Sequence, residues 1–134
     1  MNILITGCAG FIGFHLTQSL LSKKNKVLGL DNINNYYDTK LKKDRLKLIL
    51  KNSKKNNFYF KFNKIDLSNY KKLKSIFKKN KIDIVINLAA QAGVRYSIEN
   101  PRKYLDSNII GFFNIIELSR LNNVKQFIYA STGS

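Results

Sequence analysis

Gly7, Gly10 and Gly13 stand three apart where the apolar run Ile3-Leu4-Ile5 ends, and a helical pattern begins at once with Phe11 and Ile12. Glycines let the backbone come close to a bulky group, and a helix start offers free N–H groups and the positive end of its dipole. The natural guest of such a corner is a pyrophosphate. The spacing departs from Gly-x-Gly-x-x-Gly, so the motif takes its weight from the strands and acids downstream of it. A second apolar run, Lys26-Val-Leu-Gly-Leu-Asp31, closes on an acid 24 residues after Gly7. An acid at that strand tip accepts hydrogen bonds from adenosine ribose hydroxyls and repels a 2′-phosphate, which favours NAD over NADP. Asn32 adjoins it. Asp66 and Leu67 follow a third strand pattern, and Asp66 suits either the adenine amino group or, with Ser68, the cap of the next helix. Leu88, Ala89, Ala90 and Gln91 follow a fourth strand, where small residues admit a flat ligand or another backbone. Ser131 and Thr132 follow a fifth.

The elements that must position these residues alternate. Strands are expected at 2–6, 26–31, 57–64, 82–87 and 124–130. Helices are expected at about 11–22, 39–51, 69–79 and 101–120, with a polar turn at 52–57. Phe58, Phe60 and Phe62 alternate with polar or amphipathic residues, a period of two, and Ile82 to Asn87 is almost continuously β-branched, as in a strand covered on both faces. Ile12, Leu16 and Leu20 are expected to face the sheet from the first helix, with Leu21 widening the stripe. Leu105, Ile109, Phe112 and Ile116 are expected to do so from the last, which Pro101 starts well. Leu41, Leu46, Leu48, Ile49 and Leu50 sit among the lysines of the second. The β-α-β-α-β-α-β-α-β order predicts a Rossmann-like α/β fold, a parallel sheet with helices on both faces. All five polar or small clusters then fall at strand C-termini, where such sheets bind ligands.

Composition bounds the alternatives. The chain has 134 residues and a net charge of +16, of which residues 40–81 carry sixteen basic and two acidic groups. A basic block can mark a nucleic-acid footprint. Lysine, asparagine and isoleucine, all with A/T-rich codons, make up a large share of the chain, and only four residues are arginine. These features favour a solvated lysine face over a nucleic-acid interface. No apolar run approaches the roughly 18 residues of a membrane span, and no secretory leader opens the chain, so a cytoplasmic location is expected. The single Cys8 excludes an internal disulfide and fits the glycine turn as a small residue. The one histidine, His15, is expected to pack within the first helix. No Cys/His cluster suggests a metal.

On these residues the chain resembles the extended short-chain dehydrogenase/reductase family, in particular its NAD-dependent nucleotide-sugar epimerases and dehydratases. The resemblance rests on Thr6 to Gly13, Asp31-Asn32, Asp66-Leu67, Asn87 to Ala90 and Tyr129 to Thr132. Within the family, Asp31 to Asp38 with Leu41 to Leu46, and Ala89 to Ser97 with Glu99-Asn-Pro101, are similar to UDP-glucuronate 4-epimerases. The resemblance implies that a tightly held NAD takes hydride from the sugar C4 and returns it to the other face of the 4-keto intermediate. It assigns Gly7, Gly10, Phe11, Ile12, Gly13, Asp31, Asn32, Asp66, Leu67, Leu88, Ala89, Ala90, Gln91 and Ser131 to the cofactor. Thr132 would hydrogen-bond the reacting oxygen, and Arg95 would meet the UDP-sugar carboxylate or phosphate. The family's Tyr-x-x-x-Lys base follows strand five, beyond this chain's last residue. Tyr36…Lys40 and Tyr70…Lys74 match the spacing at about the frequency of chance. The expectation is an incomplete NAD-binding domain over 1–134, without the Tyr-Lys segment and substrate domain and inactive alone, belonging to a homodimeric enzyme. UDP-glucose 4-epimerases and 4,6-dehydratases are the nearest alternatives, and Gly133-Ser134 stands where dehydratases commonly carry Asp-Glu. A non-catalytic nucleotide- or nucleic-acid-binding module is the alternative of another class.

Overall fold

Side chains of successive strand residues point to opposite faces, and the β1 residues Asn2–Thr6 divide accordingly: Ile3 and Ile5 join one core, Leu4 the other. The computed structural model describes residues 1–36 and 38–131. The elements run β1, α1 (Phe11–Ser22), β2 (Lys26–Asp31), α2 (Thr39–Asn56), β3 (Phe60–Lys64), α3 (Tyr70–Lys79), β4 (Ile84–Asn87), α4 (Val94–Glu99), α5 (Pro101–Tyr104), a π-helical stretch (Leu105–Gly111), α6 (Phe112–Leu121) and β5 (Gln126–Tyr129). The five strands lie in the order β3-β2-β1-β4-β5, all parallel. On one face Ile3, Ile5, Val27 and Ile86 pack with Leu21 of α1 and Ile49 of α2. On the other, Leu4, Leu28, Leu30 and Val85 pack with Leu73, Ile76 and Phe77 of α3 and Ile115 and Leu118 of α6. The sheet is thus covered on both sides, as the strand composition predicts.

The helices differ from expectation mainly in phase. On α1 Gly13, Thr17 and Leu21 are buried and Leu16 and Leu20 pack against the same core as expected, whereas Ile12 is exposed. The helix approaches so closely at its start that only a small side chain fits. On the last helix Gly111, Ile115 and Leu118 are buried, while Leu105, Ile109 and Ile116 are exposed. The cause is the π-helical stretch, in which each turn takes more residues than 3.6 and rotates the following face. Helix α2 runs on through the predicted turn to Asn56 and ends at Asn57 in a left-handed cap, φ 55°. Strand β3 starts only at Phe60 and β4 only at Ile84. His15 is exposed, its ring edge-on to Phe11 and Phe14 with centroids 5.1 and 5.0 Å away. Among the described residues no helix is long and apolar enough to cross a membrane, and no cluster of ligating side chains could hold a metal. Helices α2 and α3, which carry most of the basic block, pack on opposite faces of the sheet.

Candidate dinucleotide cleft

The glycine turn is fixed from three sides. Gly7 takes φ +72°, a conformation that favours glycine, and its N–H donates to Leu30 O at 2.8 Å. A Cβ at Gly13 would overlap the Gly7 carbonyl oxygen, so the third glycine is what lets α1 start against the turn. A Cβ at Gly7 would stand 3.0 Å from the Ala89 nitrogen, across the seam between β1 and β4. Thr6 stitches that seam. Its buried hydroxyl donates to Asn87 Oδ1 and accepts from the Leu88 and Ala89 N–H groups at 3.2 and 3.1 Å. Gly10 precedes α1 without a side chain to cap it, leaving the helix start open to an anion.

Asp31, at the tip of β2, is 7% exposed. Its Oδ2 accepts from Ala9 N–H at 3.1 Å and its Oδ1 from Ile33 N–H at 2.8 Å. Each oxygen keeps a second lone pair. Lys42, on the first turn of α2, is 8% exposed. Its Nζ donates to Asn34 Oδ1 at 2.9 Å and lies 3.9 Å from Asp31 Oδ1. Arg45, one turn on, donates to Ala9 O at 3.3 Å, with its guanidinium 5.9 Å from the centre of the Phe11 ring. The Ala9 residue is therefore held at its N–H by Asp31 and at its carbonyl by Arg45. Burial and the Asp31 charge push the Cys8 thiol far above its usual range, so Cys8 stays a neutral packing residue.

These groups open onto a cavity of about 550 Å³. Gly7, Gly10, Phe11, Ile12 and Gly13 line it, as do Asp31, Asn32, Asp66, Leu67, Leu88, Ala89, Ala90 and Gln91. Burial would raise the Asp66 carboxyl, but bonds from Ser68 N–H and Oγ–H and from Asn32 Nδ2 outweigh it and hold the group below the usual carboxylate range. The cap of α3 is Asn69, which accepts from Lys72 N–H at 3.1 Å, so neither Asp66 nor Ser68 has that task. Ala130 lines the cavity at the end of β5, while Ser131, next to it, is exposed and does not. Thr132 lies outside the described residues. Arg95 is on the exposed face of α4, its side chain 95% exposed and 3.6 Å from Glu99. Tyr36 lines the cavity, but Lys40 extends into solvent beside Asp44, so that Tyr-x-x-x-Lys match does not form a couple. Tyr70 is not among the lining residues.

Thr6, Asn34, Lys42 and Arg45 line the cavity without having been singled out from the sequence. The signal for Lys42 was helical phase. Residues 42, 49 and 53 form the buried face of α2, whereas Leu48 and Leu50 are exposed and Leu41 lines the cavity.

The family model described as GDP-mannose 4,6 dehydratase matches residues 4–134. The chain belongs to this family of NAD-dependent epimerases and dehydratases. Its relatives in the family include Protein CapI of Staphylococcus aureus, 54% identical over 134 residues, which make up all of this chain and 38% of that protein. A UDP-glucuronate 4-epimerase of Thermodesulfobacterium geofontis is 48% identical over 131 residues, 98% of this chain and 39% of that protein. Among solved structures, UDP-glucose 4-epimerase of Thermotoga maritima with UDP-glucose matches with a TM-score of 0.81 at 32% identity. The match covers 99% of this chain and 38% of that one. UDP-glucose 4-epimerase of Thermus thermophilus, solved with NAD, matches with a TM-score of 0.78 at 30% identity, over 99% and 38% of the two chains. The chain thus spans about two fifths of the length of these family members.

Proposed function

We propose that these residues form the NAD-binding part of a nucleotide-sugar 4-epimerase acting on UDP-glucuronate. The observation that carries the reading is the continuous wall from the glycine turn through Asp31 to Ala89–Gln91, on one cavity at the strand C-termini. The residues fit a dinucleotide. The start of α1 offers N–H groups to a pyrophosphate, the spare lone pairs of Asp31 suit ribose hydroxyls, and Asp66 stands beyond β3 for the adenine. The buried Gln91 Nε2, without a hydrogen-bond partner among the described residues, supplies a further donor. The relatives named UDP-glucuronate 4-epimerase support the choice of sugar.

NAD bound here supplies a hydride acceptor that can return what it takes, the chemistry that inversion at a sugar carbon needs. Asp31, Asn32, Asp66 and Leu67 hold the adenosine end, and Gly7 to Gly13 hold the phosphates. Leu88, Ala89, Ala90 and Gln91 line the path toward the reacting end, with Ser131, which follows the lining residue Ala130, at its rim. Thr132 hydrogen-bonds the reacting sugar oxygen, and Arg95 turns from Glu99 to meet the substrate's anionic group. Neither Tyr36 with Lys40 nor Tyr70 with Lys74 forms a Tyr-x-x-x-Lys base on the cavity wall, so the described residues bind cofactor without turning over sugar; the whole enzyme is a cytoplasmic homodimer. The test is calorimetric titration with NAD, run on the wild-type chain and on Asp31→Ala, together with an epimerisation assay on UDP-glucuronate. Binding weakened by the substitution, with no turnover, is the expected result. A wild-type chain that does not bind NAD overturns the cofactor reading, and turnover by the chain alone overturns the assignment of an external base.

A further inference from the structure

Five polar side chains are joined across the mouth of the cavity. Asp31 Oδ1 faces Lys42 Nζ at 3.9 Å, and Lys42 Nζ donates to Asn34 Oδ1 at 2.9 Å. Asn34 Nδ2 in turn donates to Gln91 Oε1 at 3.3 Å. Gln91 is clamped at its backbone by one side-chain amide, Asn108 Oδ1 accepting from its N–H at 2.8 Å and Asn108 Nδ2 donating to its carbonyl at 2.9 Å. Asn108 belongs to the π-helical stretch, a rare geometry often found at functional sites. The chain of bonds ties the loop after β2 to the loop after β4, two segments 57 residues apart in sequence.

Two features say that this connection does more than hold loops together. Gln91 is 6% exposed, and its Nε2 has no hydrogen-bond partner among the described residues, although the residue lines the cavity. A buried donor left unpaired is costly, and native proteins rarely keep one without a use. An amide nitrogen can only donate, so the group it awaits is an oxygen acceptor. The second feature is Ile33, a β-branched residue at φ +51°. L side chains of this shape rarely take that conformation, and such strain persists where the surroundings impose it. Here Asp31 Oδ1 accepts from Ile33 N–H and Asn32 Oδ1 from Asn34 N–H at 3.1 Å, fixing the turn that delivers Asn34 to Lys42 and Gln91.

We infer that Asn34 and Gln91 form a strap across the dinucleotide, with Gln91 Nε2 donating to one of its phosphate or ribose oxygens, and that this strap sets how slowly the cofactor leaves. The inference rests on the NAD reading above and adds positioning roles for Asn34, Lys42 and Asn108. Cofactor completes the bonding of Gln91, and the bonded Gln91 holds Asn34, so a bound dinucleotide tightens the connection that retains it.

The test measures release of NADH by the purified chain, following NADH emission during displacement by excess NAD; the chain has no tryptophan to contribute background. Gln91→Met removes the donor, and with it the acceptor of Asn34 Nδ2, at nearly constant volume, and Asn34→Ala cuts the strap while keeping Gln91. Each is expected to release NADH roughly tenfold faster, the worth of about one hydrogen bond. The melting temperature of cofactor-free Gln91→Met should fall less than that of Asn34→Ala, because both lose the Asn34–Gln91 bond but only methionine also removes an unpaired buried donor, and a role in folding alone would not pair equal release rates with unequal stabilities. Should Gln91→Met fail to fold, Gln91→Glu keeps the acceptor for Asn34, lacks the donor, and should also release faster. Wild-type release rates in the Gln91 variant overturn the strap while leaving the NAD reading intact. A wild-type chain that binds neither NAD nor NADH overturns both.

Discussion

Lys42→Met is the substitution that most directly separates the observed structure from a reading of the helix as a lysine-coated surface. Lys42 is 8% exposed, and its ammonium donates to Asn34 at 2.9 Å and is the cation beside the buried Asp31 carboxylate. Methionine keeps most of the stem and removes the charge. Breaking a buried ion pair costs about 3–5 kcal/mol when the remaining charge is left uncompensated. Asp31 still accepts two backbone N–H bonds, and the 3.9 Å gap is long, so the loss falls lower, nearer the roughly 1.5–3 kcal/mol of a hydrogen bond to a charged group. About 2 kcal/mol is expected, equivalent at this chain length to about 6–8 °C in the melting temperature. The assay is urea denaturation followed by circular dichroism, with Lys43→Met, at the exposed neighbouring position, as the control. That control should stay within about 0.5 kcal/mol of wild type. Adding Asp31→Asn to Lys42→Met should be less damaging than the sum of the two singles, since neither partner is then left alone. If Lys42→Met is as mild as Lys43→Met, or the two losses simply add, the buried pairing of Lys42 with Asp31 is refuted.

Thr6→Val keeps the shape of the side chain but strips three hydrogen bonds from Asn87, Leu88 and Ala89, and should cost about 1–3 kcal/mol in the same assay. A near-neutral result would mean that the β1–β4 seam does not depend on the hydroxyl. Gly13→Ala places a Cβ on the Gly7 carbonyl, a backbone atom that cannot swing away, so we expect α1 to be displaced, with a loss of more than about 2 kcal/mol and of NAD binding by calorimetry. Asp66 is held below the usual carboxylate range in the folded chain, so its stabilisation is fully present above about pH 4 and is lost as pH falls through the lowered folded value. Asp66→Asn should flatten the stability–pH curve below about pH 4 and leave its slope near neutrality unchanged, as read by melting curves at successive pH values.

The strands were legible in the sequence because a parallel sheet buried on both faces demands nearly unbroken apolar runs, and Ile3-Leu4-Ile5 and Ile84-Val85-Ile86 supply them. Turn chemistry marked the cavity equally well, since only glycine or small residues serve where Gly7 meets Ala89 and Gly13 meets Gly7. Helix phase was less legible. A search for large apolar residues selects Ile12, Leu16 and Leu20; the two leucines do pack against the core, but α1 lies so near the sheet that Gly13 and Thr17 take the innermost positions and Ile12 is left outside. The π-helical stretch had no periodic signature, because its departure from 3.6 residues per turn is itself what displaces the pattern. Helix α4 was missed for a related reason: none of its residues is buried, so no apolar stripe announces it.

Lysine is the residue for which composition misleads most. Sixteen basic groups between residues 40 and 81 invite a single account, and most of them do face solvent. Lys42 escapes it because Asp38 starts α2 with a cap on Lys40 N–H, and from that start residue 42 falls on the same side as Ile49 and Ser53. The position is fixed by the helix start; the charge is tolerated there because Asp31 lies within reach and Asn34 accepts a hydrogen bond. The argument that Asp31 repels a 2′-phosphate therefore needs its neighbours. With Lys42 and Arg45 at the same wall, the local charge is no longer negative, and any preference for NAD must come from Asp31 accepting the ribose hydroxyls rather than from repulsion alone. Affinities for NAD and NADP measured on Asp31→Asn decide between these origins. Loss of NAD affinity without gain for NADP indicates hydroxyl recognition, whereas a gain for NADP would restore repulsion as the dominant effect.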